Sequence, residues 1–188
     1  MRKSEQWAKS YLNVGCGPNV HKEFVNIDYS WKPGIELCWD ITKGLPFKGR
    51  SIQGIYTEHC LEHLRFPDCL NIIEEFRRIL RPQGSVRIVV PDAELYLNLY
   101  HRAMAGEAVH FPYQDTEVAE QTPLMVVNEV FRSHGHHYAY DSNTLGLMLG
   151  RAGFSDIHKE TFGHGRDPYL LIDSEHRAIE SLYMEATA

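Results

Sequence analysis

The alternation of short apolar runs with amphipathic stretches predicts an α/β fold: a parallel sheet with helices on its faces. Strand-like runs recur along the whole chain, helical periodicity fills several intervals between them, and turn residues such as Gly15-Cys16-Gly17 and Gln83-Gly84 mark the changeovers. The strand-like runs are Tyr11 to Val14, Phe24 to Ile27, Ile35 to Cys38, Gly54 to Thr57, Ser85 to Val90, Asp156 to Thr161 and Tyr169 to Ile172. Helical spacing is clearest in Pro67 to Leu80, where Leu70, Ile73, Phe76, Ile79 and Leu80 share a face and Glu74, Glu75, Arg77 and Arg78 oppose them. Arg81-Pro82-Gln83-Gly84 ends that helix and turns the chain into the next strand. Further helices are expected at Ala93 to Ala105 and at Asn143 to Ala152, the second capped by Asp141 or Ser142 and ended near Gly153.

The length of 188 residues, 43% hydrophobic and 23% charged, fits one domain spanning 1–188 with a sizeable core. The stretch from about 106 to 140 starts irregularly, with Gly106, Pro112 and Pro123, and is expected to be an insertion on the substrate side. A net charge of −6 disfavours a general nucleic-acid binder, whose affinity rests on clustered Lys and Arg. Cys16, Cys38, Cys60 and Cys69 have no C-x-x-C spacing, so reduced thiols are expected. The N-terminal stretch has basic residues but no apolar signal core, and no run approaches a membrane span, so a cytoplasmic protein is expected.

In an open parallel sheet, ligands bind at the carboxyl ends of the strands. Those ends carry Gly15 and Gly17, then Asp28, then Asp40, then Thr57-Glu58-His59, then Pro91-Asp92. A Gly-x-Gly turn brings bare backbone to a nucleotide-like ligand, where a side chain would hold it away, and glycine permits positive φ. The dinucleotide fingerprint needs a third glycine where Val20 stands, and Asp28 arrives too early for its acidic residue, so an NAD-dependent oxidoreductase is disfavoured. Asp28 can accept from both ribose hydroxyls, and Asp40-Ile41 offers an acceptor beside an apolar wall for adenine. Taken singly, each Asp is also an ordinary turn former.

Leu12-Asn13-Val14-Gly15-Cys16-Gly17, Val25-Asn26-Ile27-Asp28, Trp39-Asp40-Ile41-Thr42, Glu58-His59-Cys60-Leu61-Glu62-His63-Leu64 and Leu80-Arg81-Pro82-Gln83-Gly84, in that order and spacing, resemble the class I S-adenosylmethionine-dependent methyltransferases. The chain is most similar to the small bacterial "methyltransferase type 11" group, and the likeness extends through Gly135-His136-His137-Tyr138 and Glu180-Ser181-Leu182-Tyr183. This resemblance implies a Rossmann-like, doubly wound, mostly parallel seven-stranded sheet in the order 3-2-1-4-5-7-6, with the last strand antiparallel. The two closing runs around Gly163-His164-Gly165 are expected to supply that pairing. It implies S-adenosylmethionine as cofactor and S-adenosylhomocysteine as product. The implied cofactor residues are Asn13, Gly15, Cys16, Gly17, Asp28, Tyr29, Asp40, Ile41, Thr57, Glu58 and His59: the glycine turn at the methionine part, Asp28 at the ribose, Asp40 and Ile41 at the adenine, and Thr57 to His59 near the methyl. Asn13 stands where the family often has an acidic residue, and the short connections from Gly17 to Phe24 and from Asp28 to Ile35 leave the cofactor more exposed than in larger relatives.

Methyl transfer from a sulfonium needs an acceptor placed in line rather than a nucleophilic side chain. The expected acceptor is a small molecule or saccharide. His59 and His63 are the catalytic candidates for removing a hydroxyl proton, with Glu62 and Asp92 behind them; more plainly, Glu62-His63-Leu64 begins the next helix. His134, His136 and His137 raise a metal, but their Gly-containing loop lacks a matching carboxylate pattern, so none is expected and a substrate-facing loop with Tyr138, Tyr140 and Asp141 is the better reading. Trp31, Trp39, Tyr96, Tyr100, Phe111 and Tyr113 include candidates for a ring-stacking wall. Asn13 and the lack of an obvious strong base leave open a cofactor-binding module without catalysis.

Overall fold

A computed structural model of the chain describes residues 9–113 and 121–188. The N-terminal signal reading, and residues 114–120 of the expected insertion, lie outside the described residues. Strands β1 (Tyr11–Val14), β2 (Val25–Asp28), β3 (Leu37–Cys38), β4 (Ile52–Glu58), β5 (Leu80–Pro91), β6 (Ser155–Glu160) and β7 (Ser181–Thr187) form one sheet in the order β3-β2-β1-β4-β5-β7-β6. The β1–β5 pairings are parallel, and β7 runs antiparallel to both β5 and β6. This is the expected Rossmann-like order. The helices are α1 (Phe66–Ile79), α2 (Ala93–Met104), α3 (Pro123–Arg132) and α4 (Ser142–Arg151).

Helix α1 starts with Pro67 in its first turn, where a missing N–H costs nothing, and places Asp68 at the positive end of its dipole. It buries Cys69, Ile72, Ile73, Phe76 and Ile79. With α4 it covers the sheet face formed by Leu12, Val14, Ile55, Ile88 and Leu182, giving the main core. The opposite face is covered by a strap, Thr161 to Glu180, whose turns are the 3-10 segments Pro168–Leu170 and Glu175–Arg177. Arg87 on β5 ties that strap down. It is 0% exposed, yet its guanidinium donates to both oxygens of Asp173, to Glu185 Oε1 at 2.7 Å, and to the carbonyls of His164 and Thr161. Every N–H of the fork thereby finds an acceptor, as a buried charge requires.

Four elements differ from the sequence reading. The Tyr169 to Ile172 run is no strand. Asp167 caps Tyr169 N, Pro168 opens a 3-10 turn, and Leu170 plugs the polar side of the sheet at 0% exposure beside Tyr56 and Val89. The true last strand is Ser181–Thr187, whose Glu185 breaks the apolar pattern in sequence but is neutralised by Arg87. The connection between the two antiparallel strands is therefore the whole strap rather than a tight turn at Gly163-His164-Gly165. Helix α3 was missed although Thr122 caps it, accepting from Met125 N, and Pro123 opens it. The Arg81 to Gly84 turn sits within β5 as a bulge, with the register jumping from Ile52↔Leu80 to Gly54↔Ser85.

Candidate active site

A cleft of about 330 Å³ opens over the carboxyl ends of β1 to β4, lined by Gly15, Gly17, Asp28, Tyr29, Trp39, Asp40, Ile41, His59, Cys60, His63 and Leu64. The turn after β1 folds back on β2, with the N–H groups of Gly15 and Cys16 both donating to Ile27 O. Gly15 and Gly17 have φ of 68° and 53°. They are glycine for different reasons. A Cβ on Gly15 would meet Cys60 Sγ at 2.2 Å, whereas one on Gly17 meets nothing within 4 Å and would stand in open space. Asp28 Oδ2 accepts from Gly17 N at 2.8 Å and Oδ1 from Ser30 N at 2.9 Å, so the carboxylate is aimed while each oxygen keeps a lone pair for a further donor. Asp40 Oδ1 caps Thr42 N at 3.0 Å, which leaves Oδ2 for a ligand, and Ile41 and Trp39 supply apolar wall. A carboxylate with spare acceptors, an unobstructed glycine and an apolar wall suit a ribose, a backbone-hugging chain and a base, so the residues present fit S-adenosylmethionine.

Asn13, Cys16, Thr57 and Glu58 do not line this cleft; they support it. Asn13 is buried and donates to Asn19 O at 2.8 Å and Asn26 Oδ1 at 3.2 Å, fastening the turn to β2. Cys16 lies under the turn, where burial and the Asp28 charge push its thiol up to about 12. Thr57 is buried beside Cys60. Glu58 accepts from both the N–H and the hydroxyl of Ser174, holding the strap. Trp39, a ring-stacking candidate in the sequence, lines the cleft, as do Cys60 and Leu64, whose adjacency to His59 and His63 is the signal that sequence offers for them.

A larger cavity of about 850 Å³ lies beyond β4 and β5. Its walls come from Pro112 and Tyr113, from α3, from the loop holding His134 and His136, and from His176, Arg177 and Glu180 of the strap. His59 and His63 line both this cavity and the cleft. His59 occupies a left-handed conformation, φ 47°, directly after β4. Both its ring nitrogens are engaged: Nε2 with Ser181 Oγ at 2.8 Å, and Nδ1 with Arg177 Nη1 at 3.2 Å. Burial, then the Arg177 charge, pulls its pKa down to about 3, so it is neutral at ordinary pH. His63 is exposed, and burial of its ring followed by the neighbouring His136 lowers its pKa. Glu62 is 1% exposed, and burial pushes its carboxyl up to about 8. Asp92 caps α2 through Glu94 N and Leu95 N and receives Lys159, away from the histidines. Tyr138 stacks on Phe66, Tyr140 is buried in the main core and Asp141 caps α4, so these three serve packing and capping. His137 N donates to Glu62 O, pinning the His134 to His137 loop against the 3-10 turn Leu61–His63.

No helix among the described residues is long and apolar enough to cross a membrane. Residues 4–159 match the family described as methyltransferase domain. No curated protein matches the chain. Among solved structures it is similar to an S-adenosylmethionine-dependent methyltransferase from Archaeoglobus fulgidus, at 15% identity and TM-score 0.58, over 96% of this chain and 86% of that one. An S-adenosylmethionine-dependent methyltransferase from Mesorhizobium loti matches at 18% identity and TM-score 0.54, over 95% of this chain and 90% of the other. Phosphoethanolamine N-methyltransferase 2 of Haemonchus contortus, solved with S-adenosyl-L-methionine, matches at 12% identity and TM-score 0.52, over 96% of this chain and 48% of that one. At such identities the structural likeness speaks to the fold, while the match over most of the sequence fixes the family. The chain belongs to the methyltransferase domain family, and its activity is methyl transfer from S-adenosylmethionine.

Proposed function

We propose that this methyltransferase acts on a hydroxyl of a small molecule or saccharide held in the 850 Å³ cavity, by in-line transfer across His59 and His63. The observation that carries this reading is that those two residues line both cavities, so an acceptor in one faces a cofactor in the other. S-adenosylmethionine, when bound, supplies a methyl group on a sulfonium whose departure leaves neutral sulfur. Asp28 and Asp40 would hold its ribose and adenine, with Ile41 and Tyr29 beside the ring and Gly15 to Gly17 along the methionine part; Asn13, Cys16, Thr57 and Glu58 act by shaping the frame. His59, with both nitrogens taken, orients the junction. His63 faces both sides and meets the acceptor hydroxyl: the oxygen bonds to the methyl carbon, the C–S pair stays on sulfur, and the hydroxyl proton passes to imidazole. The acceptor side draws on the described part of the stretch from about 106 to 140, since Pro112, Tyr113, α3 and His136 all line the cavity. The net charge of −6 supports a compact acceptor over a nucleic acid.

Purified protein incubated with methyl-labelled S-adenosylmethionine and pools of phenols, hydroxy acids and saccharides tests this, with products followed by mass spectrometry. Label is expected on oxygen of a small acceptor, and Arg177→Ala should lower transfer while leaving cofactor affinity unchanged. Label arriving only on nucleic acid or protein would overturn the acceptor class.

A further inference from the structure

Where cleft and cavity meet, the protein buries a carboxyl group on which the Arg177 charge acts but to which no neighbouring side chain donates a hydrogen bond among the described residues. Glu62 is 1% exposed, and apart from its own backbone N–H neither carboxylate oxygen has a hydrogen-bond partner among the described residues. A carboxylate in that position is expensive unless paired or bound to a cation. It faces imidazoles. His59 Nδ1 lies 3.4 Å and His136 Nε2 3.9 Å from Glu62 Oε1, and the His63 and His136 rings meet edge to face with centroids 4.8 Å apart. His136 Nδ1 is 2.6 Å from Val130 O, which only accepts, so the proton sits on Nδ1 and Nε2 presents a lone pair toward the carboxylate. A lone pair facing a carboxyl oxygen leaves a place between them for a proton or a metal cation, and a ring tied by one nitrogen to a carbonyl is how metal-binding histidines are oriented.

We propose that Glu62, His63 and His136 bind a divalent transition-metal cation at the junction of the two cavities. Their ligand atoms all lie within 4.8 Å of one another. Donors each about 2.1 Å from one ion stand about 3.4 Å apart in a tetrahedral shell and at most about 4.2 Å when opposed, so the widest pair closes by about 0.6 to 1.4 Å on binding. Two imidazoles and a carboxylate suit Fe(II), Mn(II), Co(II) or Zn(II) better than magnesium or calcium, and they leave coordination positions open. All three ligands line the 850 Å³ cavity, so the open positions face the acceptor. The spacing of His134, His136 and His137 argued against a metal because no carboxylate belongs to that pattern; the fold brings one in from the segment after β4.

An ion here alters how the acceptor is activated. With the ion bound, His63 would serve as a ligand rather than as the proton acceptor, and the metal would lower the pKa of an acceptor hydroxyl so that its proton could pass to bulk water before the oxygen takes the methyl group. This role rests on the acceptor reading above; the binding of the ion does not.

Chelator-stripped, untagged full chain titrated with Co(II), without cofactor and followed by visible absorption, separates the two. One Co(II) per chain is expected to bind. Glu62→Gln preserves shape and His63→Ala changes an exposed position, so both should fold, as circular dichroism would verify, and each should weaken binding tenfold or more. His101→Ala, on α2, should not. Absence of uptake by the wild type, or uptake by Glu62→Gln and His63→Ala equal to that of the wild type, overturns the site. Once an acceptor is known, transfer lost on chelation and restored by metal supports activation through the ion, whereas transfer untouched by chelation removes that role and leaves the binding site standing. Failure to find any small acceptor would count against the function proposed above without touching the Co(II) result.

Discussion

The cleft and the larger cavity are built by different means. The cleft is framed largely by backbone and short polar side chains at successive strand ends, all within the first 64 residues: an open glycine, an Asp28 clamped by two N–H groups, an Asp40 that caps a turn. The cavity is framed by long side chains from segments far apart in the chain, at Tyr113, α3, His134 to His136 and His176 to Glu180. A shared cofactor can be served by a fixed frame that strand order alone assembles. An acceptor particular to one enzyme is served by loops that can change without disturbing the sheet.

The largest expected effect lies on the cavity side. Arg87→Met strands Asp173 and Glu185 in the interior, and losing one member of a buried ion group costs about 3 to 5 kcal/mol. Urea unfolding should show that loss, while cofactor affinity of the folded variant stays close to wild type, because the strap it anchors lines the cavity. An equal loss of cofactor affinity would mean that the two regions are not separate. Asp28→Ala should do the reverse, weakening S-adenosylmethionine binding by about 1.5 to 3 kcal/mol in a calorimetric titration. Asp28→Asn, which keeps one acceptor, should lose less.

Within the cleft, the two glycines divide support from contact. Gly15→Ala combines a left-handed φ with a Cβ 2.2 Å from Cys60 Sγ and should lower stability more than the roughly 1 to 2 kcal/mol that the backbone conformation alone costs. Gly17→Ala carries only the backbone cost in stability but puts its methyl in the cleft, so its cofactor affinity should fall further than its melting temperature implies. Thermal melts with and without S-adenosylhomocysteine would separate the two.

The smallest effect concerns Glu75, which holds the segment after Asp40-Ile41 by accepting from Leu45 N at 2.9 Å. Hydrogen bonds from Arg78, and secondarily Leu45 N, hold its carboxyl below the ordinary 4.5 against the opposing pull of burial. A depressed carboxylate stabilises the fold above its unfolded pKa, and that contribution fades as pH falls through the lower folded value. Urea midpoints should therefore drop as pH falls below about 4.5, and Glu75→Gln should flatten part of that slope. An unchanged slope would show that Glu75 does not brace this side of the cleft.

The contrast between the regions also explains what was legible in the sequence. Strand ends announce themselves through local pattern, so Gly15, Gly17, Asp28, Asp40, Ile41, His59 and His63 could be named before any fold was known, and all of them line the cleft. Glu58 is visible as a polar residue at a strand end and Asn13 through the family resemblance, but only the fold shows that their hydrogen bonds run to Asn19, Asn26 and Ser174. β7 was hidden because Glu185 looks like a surface residue until Arg87 is known to face it. Leu170 looked like part of a strand because burial as a plug leaves the same apolar signature. The pairing of Glu62 with His136 depends on a loop docking through His137 N to Glu62 O, which no sequence spacing encodes.

The central claim is that the methyl group is presented at the seam between cleft and cavity. A crystal structure of the full chain with S-adenosylhomocysteine tests it most directly. The expected result is the ribose on Asp28, the adenine beside Ile41, and the sulfur at His59 and His63, open to the larger cavity. A product bound with its sulfur turned away from those histidines, or seated within the larger cavity itself, would contradict it.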